Sequence, residues 1–135
     1  MYIIYIVVAF ILICVLVYFF RRKKNMTPKY AYSTRVDEEL YDNGGLRRTI
    51  TLKIKTRLSD NTIVDEFVDG EEKYFYPSGA LNRQNNWRDG KLEGNFIVYY
   101  EDGGVYITGS YKHNKLNSHY MVYNKNKELI WSKNY

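Results

Sequence analysis

The sequence predicts an N-terminal single transmembrane α-helix followed by an all-β antiparallel meander of β-hairpin repeats. Three observations carry that reading. Tyr2 to Phe20 holds no charged residue. Tyr, Ile, Val and Thr are plentiful after residue 30 while helix formers are sparse, which favours strands. From about residue 75 the chain matches itself at a period of 24 without gaps.

Nineteen uncharged positions would span roughly 28 Å as a helix, close to the ~30 Å hydrocarbon core of a bilayer. Tyr2, Tyr5 and Tyr18 fall near its ends, where amphipathic rings prefer the interface. A cleaved signal peptide would begin with basic residues and end at a small-residue site, and neither is present. Acylation at Cys14 is disfavoured by the bulky Ile13 before it and by the apolar run that continues after it. Arg21, Arg22, Lys23 and Lys24 follow directly. By the positive-inside rule they place the β domain in the cytoplasm, as a single-pass membrane protein. The same four residues are candidate contacts for anionic lipid.

The formal charge of +5 is largely this cluster, since the rest of the chain carries 16 Lys and Arg against 15 Asp and Glu. A near-neutral domain offers no basic face, which argues against nucleic acid as a partner. Cys14 is the only cysteine, so neither a disulfide framework nor a thiolate site is available to the β domain.

The expected organisation is an anchor with a basic collar over 1–24, a linker over 25–40 and a repeat domain over 41–135. Asn25, Thr27, Pro28, Ser33 and Thr34 interrupt any period in the linker. Asn43-Gly44-Gly45 reads as a turn. Thr49 to Leu58 alternates Ile50, Leu52, Ile54, Thr56 and Leu58 with polar residues, the signature of a half-buried strand. Thr62 to Val68 is a second strand, and Asp69-Gly70 reads as a hairpin turn. The clear repeats are 75–98, 99–122 and 123–135, with Phe75, Tyr99 and Tyr123 in step, as are Leu81, Val105 and Leu129, and Trp87, Tyr111 and Tyr135. Short connections allow only antiparallel neighbours.

Phe75-Tyr76-Pro77-Ser78-Gly79-Ala80-Leu81, followed by Trp87-Arg88-Asp89-Gly90-Lys91-Leu92-Glu93-Gly94, resembles the MORN repeat in its bacterial variant. Tyr99-Tyr100-Glu101-Asp102-Gly103 opens a second copy, in which Asn114 and Ser118 replace two glycines. A third copy begins at Tyr123 and carries Lys127 where a glycine is expected. The resemblance covers about residues 66–135. It implies stacked hairpins and a scaffold or interaction role, in some bacterial relatives that of an antitoxin whose partner is a protein toxin. It implies no catalytic residues.

No constellation for an enzyme stands out, and no cofactor or metal is expected. His113 and His119 are the only histidines and lack companion ligands at metal spacing. Asp65, Glu66, Asp69, Glu71 and Glu72 do not follow the spacing of a calcium loop. Gly90-Lys91-Leu92-Glu93-Gly94 lacks the strand-to-helix setting of a phosphate loop. The expected function is a membrane-tethered protein-interaction or scaffold module. The alternatives are an anionic-lipid surface module and an antitoxin-like protein. Trp87, Ile107, Tyr111 and Trp131 are the candidate partner contacts, on a sheet face whose other reading is plain core packing.

Overall fold

The computed structural model describes residues 13–18 and 28–135. No helix among the described residues is long and apolar enough to cross a membrane. This overturns the expected transmembrane helix, and with it the single-pass location. Charge-free length in the sequence is necessary for a span and does not by itself make one. The rest of the expected anchor, and Arg21, Arg22, Lys23 and Lys24 with it, lie outside the described residues.

What the structure shows is one antiparallel meander. Its long strands are β1 (Tyr30–Leu40), β2 (Leu46–Arg57), β3 (Ile63–Phe75), β4 (Leu81–Arg88), β6 (Gly94–Tyr99), β7 (Val105–Lys112), β9 (His119–Tyr123) and β10 (Leu129–Asn134), hydrogen-bonded in chain order. Two short strands, β5 (Lys91–Leu92) and β8 (Lys115–Leu116), fold back on β4 and β7.

The linker expected over 25–40 is corrected from Tyr30 onward, where the chain is β1, paired with β2 along its whole length. Tyr30, Tyr32, Thr34 and Val36 alternate with Ala31, Ser33, Arg35 and Asp37, so Ser33 and Thr34 act here as strand residues. The neighbouring ladder overrides their local turn tendency. The hairpin expected at Asp69-Gly70 is likewise absent, and β3 runs straight through it. The register shifts between Ile50 and Leu52, so Asp69, Gly70 and Glu71 are accommodated as a bulge. Gly70 has φ +129, and a Cβ there would sit 3.0 Å from the Cβ of Thr51. The glycine is therefore there for a bulge and a close approach, not for a reversal.

The 24-residue period is a structural period. Strands β4, β5 and β6 are followed 24 residues later by β7, β8 and β9, and β10 lies 24 residues after β7. Asp89-Gly90 and His113-Asn114 both have positive φ at their two central positions and close two-residue hairpins. Gly79, Gly103 and Lys127 adopt φ 87, 86 and 65, and Gly94 and Ser118 adopt 87 and 69. The turn geometry is thus kept where the glycine is lost.

A further unit lies outside the 24-residue period. Tyr41 to Gly45 closes the same turn as Tyr76 to Ala80, Tyr100 to Gly104 and Asn124 to Glu128, with the same pair of backbone hydrogen bonds in each. The tyrosine that opens a turn also donates its hydroxyl to a backbone carbonyl of the next unit: Tyr41 to Phe75 O at 2.6 Å, Tyr76 to Tyr99 O at 2.8 Å and Tyr100 to Tyr123 O at 2.9 Å. The opposite margin is joined too, by Gly90 N to Val68 O at 2.8 Å and Asn114 N to Leu92 O at 3.1 Å. Neighbouring units are thereby fixed at both ends of their strands.

The sheet is a single layer. Among the described residues only Ile50 and Phe96 are buried hydrophobics, and Glu72 and Asn85 are buried polar ones.

Candidate functional site

Strand register arranges one face of the sheet into three transverse rows. The first runs Arg48, Tyr74, Arg83, Val98, Ile107, Val122, Trp131. The second holds Ile50, Glu72 and Asn85 in the N-terminal half and Phe96, Gly109, Tyr120 and Lys133 in the C-terminal half. The third holds Gly70, Trp87 and Leu92, then Gly94, Tyr111 and Leu116. The two halves of this face differ in chemistry.

In the N-terminal half the centre is Glu72, 2% exposed. Its Oε1 accepts from Arg48 Nε at 2.9 Å, Arg48 Nη2 at 2.6 Å and Tyr74 OH at 3.0 Å. Its Oε2 accepts from Asn85 Nδ2 at 2.9 Å and Trp87 Nε1 at 2.8 Å. Arg48 also donates to Glu39 Oε1 at 2.7 Å, and Arg83 Nε donates to Asn85 Oδ1 at 2.8 Å. Burial pushes the Glu72 carboxyl up, and the hydrogen bonds from Asn85, Trp87, Arg48 and Tyr74 outweigh that and hold it below the usual carboxylate value. Burial pushes the Tyr74 hydroxyl up, and its bond to the Glu72 carboxylate adds to the rise. A carboxylate with five donors and no exposed edge has no free lone pair for a substrate proton. The cluster organises the sheet.

In the C-terminal half the same face is aromatic. Tyr111 lies 4.9 Å from Phe96, Phe96 lies 6.0 Å from Tyr120, and Tyr120 meets Trp131 edge-on at 5.6 Å. The Arg83 guanidinium stands 5.6 Å over the Phe96 ring. Gly109 makes room: a Cβ there would fall 2.6 Å from a ring carbon of Phe96. Phe96 is buried and Tyr111 and Tyr120 are half-buried, while Trp131 is 48% exposed and Tyr135 is 53% exposed.

The four predicted contact residues share this face but are not one cluster. Ile107 and Trp131 lie in the first row, two strands apart, and both are adjacent to Val122. Trp87 and Tyr111 lie in the third row. Trp87 is half-buried and its indole N–H is committed to Glu72, whereas Trp131 offers its ring to solvent. Sequence reading missed Glu72, although the period places it in step with Phe96 and Tyr120, and that coincidence was the available signal. It also missed the tyrosine ladder, whose signal is Tyr76 and Tyr100 standing 24 residues apart.

His113 and His119 are apart from these rows. The His113 backbone N–H donates to Glu93 Oε2 at 2.9 Å, and His119 Nδ1 lies 3.3 Å from Ser118 Oγ. Among the described residues no three His, Cys, Asp or Glu side chains converge as metal ligands would.

Compared with known protein families, curated proteins and solved structures, the chain has no significant match to any of them. The fold and the two-part face therefore define the class unaided: a single-layer repeat meander with a polar anchor at one end and, at the other, an aromatic run that opens to solvent at Trp131.

Proposed function

We propose that this chain is a protein-interaction or scaffold module that engages a protein partner through the aromatic end of its sheet. One observation carries the reading. The aromatic run from Tyr111 through Phe96 and Tyr120 to Trp131 crosses all three rows, has no second layer over it among the described residues, and opens to solvent at Trp131, which is half exposed. Exposed apolar surface of this kind marks interaction sites, and aromatic anchors commonly dominate interface energy. The resemblance of the repeats to MORN repeats supports a scaffold role on separate grounds. The charges on the sheet are extensively paired, as in Lys53 with Asp69, Lys73 with Glu71 and Arg35 with Glu66, which does not favour anionic lipid as the ligand.

The test is capture with crosslinking from its own cells, using the full chain as bait, beside flotation with anionic vesicles. Trp131→Ala should weaken capture of a specific protein by about 2 kcal/mol, or roughly thirtyfold, with an unchanged melting curve. Salt-sensitive vesicle binding, with capture indifferent to Trp131→Ala, would overturn the reading.

A further inference from the structure

We infer that β10 is a self-association edge, at which a second copy of this chain adds its own β10 antiparallel across a two-fold axis at Ser132. This goes beyond the partner-binding reading and does not rest on it.

The repeat itself supplies the first reason. β4 and β7 stand in the same repeat position as β10, and each carries strands on both sides. Among the described residues β10 is paired on one side only, with β9. Tyr135 exchanges both backbone hydrogen bonds with Ser118, at 3.1 and 3.3 Å. In an antiparallel ladder the backbone groups alternate in direction, so Lys133 also faces β9, while Ser132 and Asn134 point their N–H and C=O outward. Open donors and acceptors of this kind are a template for another strand.

The second reason is the contrast between the two outer strands. β1 carries Arg35, Asp37, Glu38 and Glu39, the kind of charged edge that resists pairing. β10 carries a single charge, Lys133, and all six of its residues are exposed. A head-to-tail stack through β1 would therefore meet the guarded edge, whereas a two-fold pair uses only the unguarded one. Register selects the axis. An axis at Lys133 would set two ammonium groups directly opposite, which is destabilising. With the axis at Ser132, an outward-facing residue pairs with its own copy in a hydrogen-bonded site. Lys133 then lies opposite the second copy's Trp131 on the aromatic face, where a cation and an indole attract. A two-fold normal to the sheet keeps that face on the same side in both copies, so the two aromatic rows join. The pairing is closed, and no filament results.

The experiment uses the full chain, kept dispersed in a mild detergent on account of the uncharged segment 2–20. Sedimentation over a dilution series should show a concentration-dependent doubling of the 16.1 kDa chain. Ser132→Pro removes an outward N–H that the ladder to β9 does not use, and should weaken association about tenfold or more with far-UV dichroism unchanged. Should that variant misfold, Ser132→Lys keeps the backbone and sets like charges opposite each other across the axis, with the same expected weakening. In a Cys14→Ser background, Ser132→Cys should oxidise to a disulfide-linked dimer. A chain that stays monomeric at every concentration overturns the inference. So does a dimer that survives both changes at Ser132, or a Ser132→Cys chain that crosslinks only to a copy carrying Thr34→Cys on β1.

Discussion

At corresponding places in successive units, Glu72 faces Asn85 across β3 and β4, whereas Phe96 faces Gly109 across β6 and β7. The backbone problem is identical, since both pairs sit in the middle row of the same face. The N-terminal solution is a carboxylate satisfied by five donors, which fixes Arg48, Tyr74, Asn85 and Trp87 around a point. The C-terminal solution is a large ring lying over a missing side chain. Buried charge gives directional restraint and leaves no surface to share, while stacked rings pack without direction and remain available at their edge. A repeat can thus keep its geometry while dividing anchoring and recognition between its units.

The severest way to break the comparison is to remove the carboxylate. Glu72→Ala leaves half-buried Arg48 with only the exposed Glu39 as its partner, and Trp87 and Asn85 without their acceptor. It should cost about 3–5 kcal/mol by denaturant unfolding of the full chain. Transplanting the other solution sharpens the point. The double change Glu72→Phe with Asn85→Gly should be less damaging than its single changes predict, with a coupling of about 1–3 kcal/mol in a double-mutant cycle. Strict additivity would mean that the two units are not interchangeable.

Gly109→Ala drives a methyl group into the Phe96 ring and should destabilise by about 1–3 kcal/mol, whereas the unconfined Gly103 site, with φ +86, tests backbone strain alone. Acid separates the halves by another route. The Glu72 carboxyl is held below its ordinary value, so its stabilising contribution is complete above the usual carboxylate range and is lost as pH falls through the folded-state value. Stability should therefore decline on acidification, and Glu72→Gln should flatten that decline. An unaltered pH profile would show that other carboxylates govern it. The smallest expected effect is at Lys127, which holds φ 65 at the place where Gly79 and Gly103 stand in earlier units. Lys127→Gly should stabilise by about 0.5 kcal/mol, the left-handed strain relieved less the added chain entropy, as read from the melting temperature.

By itself the sequence determined the β meander, its 24-residue period and the turns within those repeats, because strand alternation and the positive φ of a tight turn are local demands. Asp89-Gly90 and Gly79 both form the turns that their residue types suggest. It did not determine β1, since Ser33 and Thr34 read as loop until β2 supplies a ladder, nor the bulge at Gly70, which depends on Thr51 of another strand. It placed Trp87 beside Trp131 as equivalent contacts, and only the tertiary structure separated them, by turning one indole onto Glu72 and leaving the other open. The uncharged run at the start of the chain predicted a span from composition alone, and no helix among the described residues is long and apolar enough to cross a membrane. Local rules act on neighbours in sequence. Which face is covered, which charge is buried and which edge stays open are set by strands that meet only after folding.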